Sequence, residues 1–104
     1  MKHEVIEYLK DLFELSDEEV KEYMDDFFVS FDDCCEKLMA EHQRLDFANI
    51  RLVTHTLMGF CGNMGAVDVE KLARELNTAA KAFDRDLCAG KIEEILQLHA
   101  AYKA

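Results

Sequence analysis

HTLMGFCGNMGA, residues 55–66, is the stretch on which the reading of this chain turns. It holds three of the four glycines and one of the four histidines. Glycine inside a helix costs about 1 kcal/mol relative to alanine. Yet the apolar residues before it, Phe47, Ile50 and Val53, run on through Leu57, Cys61 and Met64 at the three-and-four spacing of one helix face. Asp46 suits the N-cap of that helix. Gly65 falls where a left-handed C-cap would end it. The stretch therefore predicts a helix, a tight turn and a second helix.

Working outward, the same periodicity recurs. Downstream, Asp68 suits the cap of a helix burying Val69, Leu72, Leu76, Ala79 and Phe83. The acidic "DRD" at 84–86 reads as a turn. A last helix turns Ile92, Ile95, Leu98 or His99, and Tyr102 inward, with a start blurred by Gly90. Upstream, Ser16 followed by Glu19 forms a capping box. It opens a long amphipathic helix through Val20, Tyr23, Met24, Phe27, Phe31, Cys34, Cys35 and Leu38, ending near His42 to Leu45. Val5, Ile6, Leu9, Leu12 and Phe13 make one shorter stripe before it. No strand pattern, linker, repeat or low-complexity tract interrupts this plan. The expected fold is all-α: an antiparallel four-helix bundle with a short additional N-terminal helix, one domain over residues 1–104.

Composition narrows the function. The net charge is −10 over 104 residues, which speaks against nucleic acid and anionic membranes as partners. Acids crowd residues 17–36, as expected of a solvated helix face. No apolar run is long enough to span a bilayer, and the charged N-terminus is no secretory signal. A cytoplasmic protein is expected. Cys34, Cys35, Cys61 and Cys88 show no C-x-x-C spacing, so free buried thiols are expected, with no metal and no cofactor. Met1, directly before the first helix, favours a separate gene product over a piece of a longer kinase.

Helical geometry then places His55. Ile50, Leu57 and Met64 lie within about 20° of one direction, and His55 about 160° away from it. Gly59 and Gly62 share its outward line with Ala48, and Arg51 precedes it by one turn. Cleared space around an exposed imidazole suits a partner that must reach it. Internal helix packing by the glycines accounts for the spacing equally well.

HTLMGFCGNMGA followed by VEKLARELNTAAKAFD resembles the histidine phosphotransfer (HPt) domains of phosphorelays. The family pattern is His, two residues, Lys-Gly, small residues, Asn-Leu-Gly-Ala, then an apolar helix. His55, Gly59, Asn63, Gly65 and Ala66 match it, over about 40 residues closely. The resemblance implies a four-helix bundle whose exposed His55 accepts a phosphoryl group from a receiver-domain aspartate and passes it to another receiver. No independent turnover and no nucleotide are implied. The partners implied are response-regulator receiver domains, including one carried by a hybrid histidine kinase, and a monomer is expected. Histidine ordinarily titrates near pH ~6.5, so a neutral ring with a free nitrogen lone pair is available at pH 7. The outer ring nitrogen is the expected nucleophile.

The departure that matters is Met58, which stands where the family has lysine. A cation about 5 Å from the phosphoryl group contributes roughly 1–3 kcal/mol. Its loss slows transfer by about ten- to a hundredfold and leaves the nucleophile in place. Arg51 is a candidate substitute, and Asn77 and Lys81 on the next helix are expected to lean toward His55. Lys71, Arg74, Lys81 and Arg85 form a basic stripe that also fits an ordinary solvated face. Phe60 replaces a small residue and is expected to pack at the bundle edge, or else to widen an apolar docking surface with Met58. Two other readings stay open. One is a phosphorylation-deficient HPt-like module that only docks receivers. The other is a plain structural or oligomerising bundle.

Overall fold

A computed structural model describes residues 2–104. Met1, on which the expectation of a separate gene product rests, lies outside the described residues. Five helices follow one another: α1 Lys2–Phe13, α2 Asp17–Gln43, α3 Phe47–Asn63, α4 Val67–Lys81 and α5 Arg85–Lys103. Three-residue turns join them, and turns that short return each helix antiparallel beside its predecessor. α2, α3, α4 and α5 close into a ring in which each touches two neighbours, while α1 leans on α2 and α5. The result is a rod of 43 × 19 × 19 Å. Among the described residues no helix is long and apolar enough to cross a membrane.

The core is the set of inward stripes. Phe31, Leu38, Ile50, Leu57, Leu76 and Ile95 are fully buried along the axis of the ring. The four thiols are free and buried among them. Burial pushes the Cys34 thiol up to about 11 and Cys35 to about 12. Polar groups tie the ring at its seams. Lys91 of α5 reaches Glu75 of α4 at 2.8 Å, and Tyr102 donates to Asp68 at 2.7 Å. Asp32 of α2 meets His99 at 2.5 Å and Lys103 at 2.9 Å.

Ser16 and Glu19 cap α2 reciprocally, at 3.2 and 3.1 Å, and Asp46 caps α3 by accepting from the Asn49 amide. Several expectations are corrected. Asp68 is not the cap of α4, because the helix already begins at Val67 and its cap position, Ala66, has no side-chain bond. The Asp68 carboxylate is instead held by Tyr102 and the Val69 amide. The "DRD" segment is no free turn: Asp84 accepts from the Leu87 amide and starts α5, which carries Gly90 in its interior. Phe83 is 73% exposed, because α4 has ended and Phe83 takes the left-handed conformation at φ 55. Its ring stacks edge-on against Phe47. Leu72, Leu98 and His99 are only half-buried. Tyr23, Leu12 and Phe13 are exposed, Phe13 resting edge-on against Tyr8 of its own helix.

Candidate functional site

α3 is fixed on two sides before it presents anything outward. Val53, Leu57 and Cys61 bury into the ring. Toward α4, the buried Thr54 hydroxyl donates to the Arg51 carbonyl at 2.7 Å and lies 3.4 Å from Asn77 Oδ1. Arg51 Nε donates to the same Asn77 oxygen at 3.4 Å. Asn77, itself buried, thus holds Arg51 by the side chain. The remaining face of α3 meets solvent, and His55 stands on it exposed. Ala48, Arg51, Leu52 and His55 line one shallow cavity of about 270 Å³.

The glycines divide. A Cβ on Gly59 would meet nothing within 4 Å. The surface one turn beyond His55 is therefore open, and no contact inside the molecule accounts for the glycine there. A Cβ on Gly62 would come 3.2 Å from Glu70 Oε2. Gly62 lets the α4 carboxylate lie against α3, so its place is in helix packing and not in the cleared strip. Gly65 takes φ 75, and a Cβ there would strike the Tyr8 ring at 2.6 Å. It serves the turn and the seat of α1.

Met58 is half-buried against the core and is largely withdrawn from the outward face. Phe60 is likewise half-buried, edge-on to Phe27 and Phe31 at 5.8 and 6.4 Å, which makes it a packing residue. On α4, the hydrogen bonds of Asn77 go to Arg51 and Thr54, and none goes to His55 among the described residues. Lys81 lies four residues further on, exposed. In an antiparallel pair, one turn beyond Asn77 carries it about 6 Å toward the Ala48 end of α3, away from His55. Arg74 pairs with Glu70 at 2.6 Å and Arg85 lies beside Asp86.

Two residues absent from the sequence expectation belong to this arrangement. Thr54 looks like one more member of an apolar stripe, and only its burial beside Asn77 gives it a part in placing Arg51. Glu70 reads as a first-turn acid of α4, and its contact with Gly62 appears only once the helices are packed. Chemically, the site offers one accessible imidazole on a rigid helix, open space beside it and one side chain cation on the same shallow cavity. That suits a nucleophile that enters another protein's active site. Among the described residues no cluster of three or more His, Cys, Asp or Glu is gathered for a metal.

Comparison with curated proteins and with solved structures gives no match. The family model of the Hpt domain matches residues 22–104, which takes in α3, α4, α5 and nearly all of α2. With an all-helical ring, an exposed histidine on its third helix and this match over most of its length, the chain belongs to the Hpt domain family and has a phosphotransfer role in two-component signalling.

Proposed function

We propose that His55 is the phosphoryl acceptor of this domain, loaded by a receiver aspartyl phosphate and unloaded by the aspartate of another receiver. The observation that carries this is the exposed imidazole beside the open space at Gly59. In the forward step the lone pair of the outer ring nitrogen, Nε2, attacks phosphorus. The bond from phosphorus to the aspartyl oxygen breaks, and the carboxylate leaves with the electron pair. The proton on Nδ1 stays and the ring takes the positive charge; when the next carboxylate attacks phosphorus, the bond from phosphorus to Nε2 breaks and its electron pair returns to Nε2, restoring the neutral ring. Both transfers need in-line approach, which a fixed helix favours over a loop.

Arg51 stands in for the missing lysine in this reading. It shares the cavity with His55, and its bond to Asn77 limits the rotamers it must give up to meet phosphoryl oxygens. Asn77 is a positioning residue acting through Arg51. Lys81 contributes to the docking face, and Gly62 and Met58 to the packing under it.

The test is a transfer assay. The protein is incubated with phosphorylated receiver domains encoded in the same genome, and an acid-labile, base-stable phosphoryl group is sought, with His55→Gln as control. Label on the parent and none on the control is expected. Binding of receivers without any label would instead favour the docking-only module, for which the loss of lysine at position 58 is the specific motive.

A further inference from the structure

The surface on either side of His55 is built from a strongly acidic helix, α2, and from α4, whose formal charges balance but whose row beside α3 carries cations. On one side α2 faces the outer edge of α3. Asp33, Lys37 and Glu41 line a cleft of about 270 Å³ with Leu52 and Thr56, and Asp26 lies further along with Phe60 and Asn63. Glu22, one turn before Asp26, and Glu36, between Asp33 and Lys37, are exposed on the same helix. Asp33 takes Lys37 at 2.9 Å and Glu41 takes Arg44 at 3.4 Å. Three of the five acids of this ledge therefore keep their charge unopposed among the described residues.

On the other side α4 carries the reverse pattern. Asn77 is turned to α3, and Arg74, three residues before it, and Lys81, four after it, lie in the same row. Lys71 stands one turn before Arg74, also exposed. Glu70 neutralises Arg74, and among the described residues no ion pair takes Lys71, Lys81 or Arg51. Arg51 shares the cavity of the imidazole, and Lys71 and Lys81 stand without an ion pair on the α4 flank, on a molecule whose net charge is −10. Mere solubility would spread the acids around; it would not divide the two signs across one histidine.

We propose that this divided face selects a receiver domain of the opposite polarity, one that turns acidic side chains toward α4 and basic side chains toward α2 while its phosphoacceptor carboxylate sits over His55. The proposal rests on the phosphocarrier reading above. Two opposed ledges give a torque as well as an attraction. They bring the partner on in one rotational setting and penalise the setting turned by half a circle, where like charges would meet. Which receivers this chain serves is then written on the flanks of the site, away from the reacting atoms.

Two charge reversals test it: Lys71→Glu with Lys81→Glu, and Asp26→Lys with Asp33→Lys. All four side chains are exposed on helices. The association rate is measured by stopped flow with the receiver that loads the parent fastest, in its unphosphorylated form, at low and high salt. Both reversals are expected to slow association, each by about tenfold at low salt, and to converge on the parent rate at about 0.5 M salt. One reversal slowing and the other accelerating would overturn the proposal, since the face would then be reading only the partner's net charge. No change in either would overturn it too. Loading of His55 by a small phosphoramidate donor is followed separately. If His55 takes no label while both reversals still slow docking, the phosphocarrier reading fails and the divided docking face stands.

Discussion

At the scale of single residues, the site is a contest between a charge that was given up and one that was kept. Position 58 lies one turn from His55, and its methionine is spent on the core. Restoring the cation with Met58→Lys should raise the transfer rate by about ten- to a hundredfold, the same interval its absence implies. A lysine stem can run along the apolar edge with its head in water, so melting should change little. Arg51→Gln should slow transfer by about tenfold. Asn77→Ala should give a smaller version of the same loss, and should cost nothing further on an Arg51→Gln background if Asn77 acts only through Arg51. Single-turnover transfer rates check all three. The glycines answer to a different measurement. Gly59→Ala should stabilise the fold by about 0.5–1 kcal/mol, since a methyl there meets nothing. Gly59→Leu should leave the fold intact and cut transfer at least tenfold by standing where the partner approaches. Gly65→Ala, in contrast, should destabilise by about 2 kcal/mol or more, because φ 75 and the Tyr8 ring both oppose it. Urea unfolding of the three variants separates these cases.

At the scale of elements, the helices announce themselves because each must bury one stripe, and the 3.6-residue period of that stripe is a local property. The capping box at Ser16 and Glu19 and the cap at Asp46 were legible for the same reason: donor and acceptor are three residues apart. Ser16→Ala should accordingly cost about 1 kcal/mol in thermal or urea unfolding. What local reasoning could not reach was any side chain whose partner is distant in sequence. Asp68 has the right chemistry for a cap, but a tyrosine 34 residues later claims it. Asn77 is expected to lean toward His55 from the packing of neighbouring helices, whereas its partners Arg51 and Thr54 are settled only by the actual packing of α3 on α4. Phe83 fits an apolar period and is nevertheless exposed, since α4 ends at Lys81, two residues before its stripe does. The amides that follow Lys81 fold back on Ala79 and Ala80 and turn Phe83 into the left-handed region that glycine usually occupies. The outward direction of His55 and the cap at Gly65 were legible from angles alone. The different duties of Gly59 and Gly62, which share one line on a helical projection, were not, because only Gly62 has a neighbour across the helix gap.

At the scale of the whole molecule, the ring of four helices is narrow, and its interior holds thiols where a larger protein would place more hydrocarbon. Their burial favours the neutral form, so their ionisation lies higher in the folded chain than in the unfolded one, where it falls near 9.0. The sign follows: this contribution to stability is complete below pH ~9 and is lost as pH rises toward 11–12. Each such thiol removes about 1.4 kcal/mol per pH unit across that window. Alkaline unfolding should therefore be steep, and should flatten in a variant with Cys34→Ala and Cys35→Ala once its lower neutral stability is subtracted. At pH 8 a thiol reagent should modify the native protein slowly and all four cysteines rapidly after denaturation. The rod also has a kinetic consequence. His55 stands on one exposed helix face beside a single shallow cavity. On the proposed reading, donor and acceptor must take turns on the same ground. Every receiver that lingers after its exchange, loaded or empty, keeps the next one waiting, so the traffic through such a relay is governed by departures.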